Sequence, residues 1–179
     1  MKKIIAFTFA ALFFTGMAIG QHNNNGSGHC GNCPHHRQAT QCQTPTVNAD
    51  GIDMAIVKAF PNVKSINKAE KWTEVYDGNK KLLGYAVYSK PASDGIKGYN
   101  GETPVLIALN TKKVITGVYL LSNSETPNYE KRVSAAGFYN SWNGLTIKEA
   151  KKKKVDTISG ATFTSRAVAQ SVQAALETL

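Results

Sequence analysis

Val105-Leu106-Ile107-Ala108-Leu109 is followed by Asn110-Thr111-Lys112 and then by Val114-Ile115-Thr116-Gly117-Val118-Tyr119-Leu120-Leu121. Two apolar runs rich in β-branched and aromatic residues flank a short polar turn. That pattern predicts a β-hairpin, with strands over 105–109 and 114–121. Upstream the pattern repeats. Val63 to Ala69 and Trp72 to Tyr76 alternate in polarity, Asp77-Gly78 is a hairpin signal, and Leu82 to Tyr88 reads as the returning strand. Between the hairpins, Pro91 to Gly101 holds three glycines and reads as a loop.

Helical periodicity brackets these strands. Ile52, Ala55, Ile56, Ala59 and Phe60 recur at helical spacing, with Asn48 or Asp50 as the expected cap and Pro61-Asn62 as the stop. Pro127 opens a predicted helix to about Ala136, and a short one is expected over Ile147 to Lys153. The last helix is predicted from about Thr164 to Leu176, burying Val168, Val172, Ala175 and Leu176. Trp72 and Trp142 are expected as core aromatics. Strands grouped together and flanked by helices give an α+β class: an antiparallel sheet of hairpins packed with N- and C-terminal helices. Residues 48–179 form the expected folded domain. The chain's 179 residues, 42% of them apolar, suffice for a core without disulfides or metals.

The first 20 residues stand apart. Lys2 and Lys3 precede an uncharged apolar run, Ile4 to Ile19, ending in the small-residue pattern Ala18-Ile19-Gly20. This is the layout of a secretory signal peptide over 1–20. An uncleaved N-terminal membrane anchor is the alternative, although the run falls short of the roughly 20 residues a spanning helix needs. The expected location is therefore exported, in the periplasm or at the extracytoplasmic face of a membrane. Of 21 lysines and arginines, two lie in this leader, and the remaining 19 against 12 acidic residues leave a charge of +7. Export and the lack of a basic-and-aromatic stripe argue against nucleic acid as a partner. An anionic cofactor, an acidic partner or a membrane surface fits the charge.

A second stretch carries chemistry: Asp156-Thr157-Ile158-Ser159-Gly160-Ala161-Thr162, leading into Phe163-Thr164-Ser165. Hydroxyls, a glycine and a small residue sit just ahead of the last helix, where unpaired N–H groups and the helix dipole favour a phosphate. The ordinary alternative is a Ser/Thr-rich helix cap with spare hydroxyls. The dipole contributes only about 0.3–1 kcal/mol at an exposed site. Nanomolar retention of a ligand needs roughly 12 kcal/mol. A covalent bond to a threonine would close that gap for a protein outside the cytoplasm.

The same seven residues resemble the flavinylation motif Asp-x-x-(Ser/Thr)-Gly-Ala-Thr. That motif belongs to FMN-binding domains of the Rnf electron-transport complex and of the sodium-translocating NADH:quinone reductase. Gly98-Tyr99-Asn100-Gly101 is similar to the family's glycine-aromatic-glycine loop, and Glu125-Thr126-Pro127 to its Glu-Thr-Pro segment. Asn128 stands where the family usually has glycine. The resemblance covers about residues 93–179 and implies an FMN-binding-domain-like fold. It implies that a flavin transferase moves FMN from FAD onto Thr162 as a phosphoester, with Asp156 read by the transferase. Ser159, Gly160, Ala161, Thr164 and Ser165 would surround the attachment point. Glu125, Thr126, Gly98 and Tyr99 would shape the flavin site, with Tyr99 and Tyr129 as candidates to stack on the ring. The implied function is electron transfer by an exported flavoprotein, with a membrane redox complex or another exported redox protein as partner.

All four histidines and all three cysteines fall between His22 and Cys42. Cys30, Cys33, His35, His36 and Cys42 form a candidate zinc or copper set within an otherwise polar segment, 21–47, that reads as flexible. Two other readings stand beside it: a disulfide with one thiol left over, and a redox-active Cys-x-x-Cys. Pro34 excludes a haem-attachment motif. An exported metal-binding protein built on this cluster is the alternative function.

Overall fold

The computed structural model describes residues 47–179. The predicted leader and the His/Cys set (Cys30, Cys33, His35, His36 and Cys42) lie outside the described residues. Among the described residues, no helix is long and apolar enough to cross a membrane, and no three metal-ligating side chains converge.

The chain runs α1 (Met54–Ala59), β1 (Ser65–Lys68), β2 (Thr73–Tyr76), β3 (Leu82–Tyr88), β4 (Val105–Asn110), β5 (Ile115–Leu120) and α2 (Pro127–Ala135). A 3-10 helix (Phe138–Trp142), α3 (Ile147–Lys152) and α4 (Thr162–Glu177) follow. The five strands pair in chain order as an antiparallel meander. The class is α+β, as the hairpins and flanking helices predict.

Burial on both faces accounts for the unbroken apolar run of β4. Val105, Ile107 and Leu109 point into one cluster, which α4 closes with Val168, Val172, Ala175 and Leu176. Leu106 and Ala108 point into the other, which Ile56 of α1 closes together with the flanking Ile52 and Phe60. Both faces of the strand are covered, so alternation has nothing to separate.

Both hairpins turn by one device. In the β2–β3 loop, Asp77 Oδ1 accepts N–H bonds from Asn79 at 2.8 Å and Lys81 at 2.9 Å. In the β4–β5 loop, Asn110 Oδ1 accepts from Lys112 at 2.9 Å and Val114 at 3.0 Å. The left-handed position falls on a lysine each time, Lys80 (φ 60°) and Lys113 (φ 61°). Gly78 therefore does not supply the left-handed residue that an Asp-Gly turn leads one to expect. The Asx side chain satisfies the loop amides and sets the turn.

Three further differences have local causes. Asp53, rather than Asn48 or Asp50, caps α1, accepting from Ala55 N–H at 2.8 Å. Asn48 is engaged earlier, closing its own turn on Asp50 and Ile52. Gly137 at φ 66° ends the α2 segment and starts the unforeseen 3-10 helix, which buries Phe138 and Trp142. Trp72 is only partly buried, packed against Tyr85 with the Lys113 ammonium 4.3 Å above its ring.

Gly84 marks the tightest approach in the sheet. A Cβ there would collide with the Leu109 carbonyl oxygen and come within 2.9 Å of the Phe60 ring. Backbone on one side and a core aromatic on the other leave no cheap relief. Gly84→Ala should lower stability by about 2–3 kcal/mol, read as a lower urea midpoint at unchanged slope.

Candidate functional site

Gly98 to Gly101 form a tight turn closed by the Gly98 N–H to the Gly101 carbonyl at 2.7 Å. The turn leans on a single carboxylate. Glu125 Oε1 accepts the N–H of Asn100 at 2.9 Å and of Gly101 at 3.1 Å. A Cβ on Gly98 would lie 2.5 Å from that same oxygen, so the close approach requires glycine. Asn100 Nδ2 adds a bond to the Ser124 carbonyl at 2.6 Å.

The other oxygen of Glu125 reaches α4. Thr164 donates its hydroxyl to Glu125 Oε2 at 2.6 Å, across 39 residues of sequence. Glu125 is only 5% exposed. Burial pushes its pKa up, but the Thr164 hydroxyl and the N–H groups of Asn100, Gly101 and Tyr99 pull it down further. The net value lies below the ordinary one, so the carboxylate is charged at neutral pH. Three segments far apart in sequence meet on this group.

Thr126 starts α2, with Pro127 at the first helical position and no side-chain cap bond. Tyr139, on the 3-10 helix, has a buried hydroxyl without a hydrogen-bond partner among the described residues. Its pKa is raised by burial first, then by the charges of Glu130 and Glu125.

The second half of the site is the turn before α4. Ala161 N–H bonds to the Ile158 carbonyl at 3.0 Å, with Gly160 at φ 75° as the third residue of that turn. Glycine is the residue that adopts this conformation without strain. The turn delivers the chain straight into the helix, which begins at Thr162 and not near Thr164. Ser165, fully buried, accepts from Ile158 N–H at 3.0 Å and donates to the Ala161 carbonyl at 3.0 Å. It fastens the turn to the helix.

The hydroxyls thus divide by role. Those of Thr164 and Ser165 are buried and bonded. Thr162 is half-buried, and its Oγ1 makes only a long 3.4 Å bond to the Ile158 carbonyl. Ser159 and Asp156 are exposed, without side-chain partners among the described residues. The backbone N–H groups of Thr162, Phe163 and Thr164 find no acceptor among the described residues, and the first turn holds no acidic residue. A hydroxyl beside three free donors at a positive helix end suits a phosphate group.

Two exposed aromatic side chains flank these elements: Tyr99 at 61% and Phe163 at 62%. Tyr99 packs edge-on against Tyr129, with centroids 4.8 Å apart. Sequence reasoning did not single out Phe163. It also missed Arg132 in the last turn of α2, whose Nη1 would lie 2.8 Å from a Cβ on Gly160. No spacing rule marks that residue, because the contact joins a helix to a distant turn. A shallow polar cleft opens next to Glu125, lined by Lys90, Glu102, Pro104 and Ser122 to Ser124, with Lys90 and Glu102 paired at 2.6 Å.

Residues 98–177 match the family model described as FMN-binding domain. The chain is 31% identical over 128 residues to the G subunit of the Na(+)-translocating ferredoxin:NAD(+) oxidoreductase complex of Acetobacterium woodii, covering 63% of this chain and 58% of that protein. It is 37% identical over 135 residues to the G subunit of the ion-translocating oxidoreductase complex of Haemophilus influenzae, covering 68% of this chain and 60% of that protein. The chain thus spans less than two thirds of the length of these relatives. A crystal structure of Shewanella oneidensis NqrC aligns with a TM-score of 0.41 at 20% identity, over 70% of each chain.

Proposed function

Because residues 98–177 belong to the FMN-binding domain family, we propose that this protein is an exported electron-transfer flavoprotein with FMN joined to Thr162 as a phosphoester. One observation carries the choice of residue. Of the hydroxyls at the start of α4, Thr162 is the one held only by a long 3.4 Å bond, next to three backbone donors that find no acceptor among the described residues, while Thr164 and Ser165 are buried in structural bonds.

The residues present fit the group. The N–H groups of Thr162, Phe163 and Thr164 would hold the phosphate, with Gly160 and Ala161 adding no bulk on the approach. Tyr99 and Phe163 offer exposed rings to the isoalloxazine, and Tyr129 supports Tyr99 from the side. Glu125 keeps the Gly98–Gly101 turn and the start of α4 in fixed relation. Its charge, beneath both, disfavours added negative charge nearby. When bound, the flavin supplies chemistry in steps of one or two electrons, and the protein supplies position and field.

Maturation would be carried out by a flavin transferase that reads Asp156, which is exposed and free to be bound. The Thr162 oxygen forms the new bond to phosphorus, AMP leaves from FAD, and the hydroxyl proton ends on the AMP phosphate. The relatives are named as parts of ion-translocating oxidoreductase complexes. By analogy, the partner of this chain is a membrane-bound, ion-translocating redox complex. The leader predicted from the sequence of residues 1–20 supports work outside the cytoplasm.

Co-production with and without a flavin transferase tests the reading. The co-produced protein should be yellow, and its band should fluoresce as flavin after full denaturation. A colourless protein after co-production, with the transferase loading a control substrate, would refute it.

A further inference from the structure

We infer that Arg132 is a phosphate-positioning residue, its guanidinium held against Gly160 to take the phosphate of FMN beside Thr162. This rests on the reading above and names a group in it that no motif supplies. The contact itself is specific. A Cβ at position 160 would lie 2.8 Å from Arg132 Nη1, 3.6 Å from Cζ and 3.9 Å from Cδ. The side chain therefore lies along the open side of Gly160, two residues before Thr162. Gly160 meets two demands at once: a φ of 75° and the room the guanidinium fills.

Arg132 has no obvious structural employment. It forms no ion pair and no side-chain hydrogen bond among the described residues. Glu130, two positions earlier on α2, lies on a different side of the helix. An exposed arginine is commonly a solvated charge. This one instead rests on the backbone of the turn that presents Thr162, beside three unpaired N–H groups. A planar fork of donors matches two phosphoryl oxygens in a way a lysine ammonium does not. It would also offset the fixed negative charge of Glu125 and the exposed Asp156.

Arg166 supplies the internal comparison. It is exposed and one helical turn beyond Thr162 on α4, and carries the same charge, but the three atoms nearest a Cβ on Gly160 all belong to Arg132. The test uses the unloaded full-length chain, made without a transferase, titrated separately with FMN and with riboflavin. These ligands differ only in the phosphate. The wild type should prefer FMN over riboflavin. R132Q should lose about tenfold or more in FMN affinity, the scale of one charged hydrogen bond, with riboflavin binding unchanged. R132K should recover only part of the loss, and R166Q should keep the preference. A merely structural role for Arg132 would weaken both ligands together.

An unchanged FMN-to-riboflavin ratio in R132Q, an equal loss in R166Q, or no preference in the wild type would each overturn the proposal. The covalent reading fails separately. It is lost when wild-type protein co-produced with a transferase gains no FMN mass, whatever the titrations give.

Discussion

Glu125→Ala should lower stability by about 3–4 kcal/mol and strip the domain of its capacity to be loaded with flavin. The stability loss follows from what the carboxylate holds. Its removal leaves the part-buried N–H groups of Asn100 and Gly101 and the buried hydroxyl of Thr164 without acceptors. Each orphaned group costs about 1–3 kcal/mol, relieved in part where water can enter. Loading fails because the turn bearing Tyr99 and the start of α4 lose their common anchor. Urea unfolding measures the first effect and flavin retained after denaturation the second. Near-wild-type values in both would show that Glu125 is not the link between these segments. A double-mutant cycle with Thr164→Ala should give a coupling of about 1.5–3 kcal/mol, the range for a hydrogen bond to a charged group.

The same carboxylate predicts a pH dependence with a definite sign. Its folded pKa is lowered from the usual value of 4.5. Below 4.5 the unfolded chain takes up a proton that the folded site resists. The stabilisation is therefore complete above 4.5 and declines as pH falls through the lower folded value. Glu125→Gln removes this contribution, so its stability should fall less steeply than the wild type's between about pH 5 and pH 3. Parallel curves would contradict the assignment.

Thr162→Ala should abolish covalent flavin completely while changing stability by no more than about 0.5 kcal/mol. The hydroxyl is half-buried, and its one contact is the 3.4 Å bond to Ile158. Substitutions at such sites sit near the neutral part of the range. Thr164→Ala and Ser165→Ala should behave in the opposite way, losing stability through their buried bonds while retaining an acceptor hydroxyl at Thr162. Covalent flavin persisting in Thr162→Ala would move the attachment elsewhere. Flavin lost equally in all three variants, in proportion to stability, would reduce the motif to a folding element.

Much of the fold was legible because β4 is written as an uninterrupted apolar run and β5 as a largely apolar one, with a polar turn between them. What that pattern cannot express is two-sided burial, which emerges only when α1 and α4 settle on opposite faces. The hairpins were legible, but their turn chemistry was not. Asp77 and Asn110 tie off the loops with their side chains, and Lys80 and Lys113 take the left-handed positions. A reading based on Gly78 weighs the wrong residue. The start of α4 was placed two residues late, because Thr164 looks like a cap and is instead spent on Glu125.

The site shows a similar division. Its three segments could be recognised one by one through their resemblance to the FMN-binding family's motifs, whereas the residues by themselves singled out only the hydroxyl-rich start of the last helix. Their meeting on one carboxylate could not, since sequence holds no measure of the 39-residue closure between Glu125 and Thr164. Arg132 and Phe163 stayed hidden for a related reason. An arginine on a helix and a phenylalanine in a helical first turn are ordinary until their surroundings are known.

Intact mass spectrometry of the full-length protein, co-produced with a flavin transferase and then digested, tests the central claim most directly. The account predicts an increase of one FMN minus one water, located on the peptide that contains Thr162. An unmodified mass, or the same increase on a peptide lacking Thr162, would contradict it.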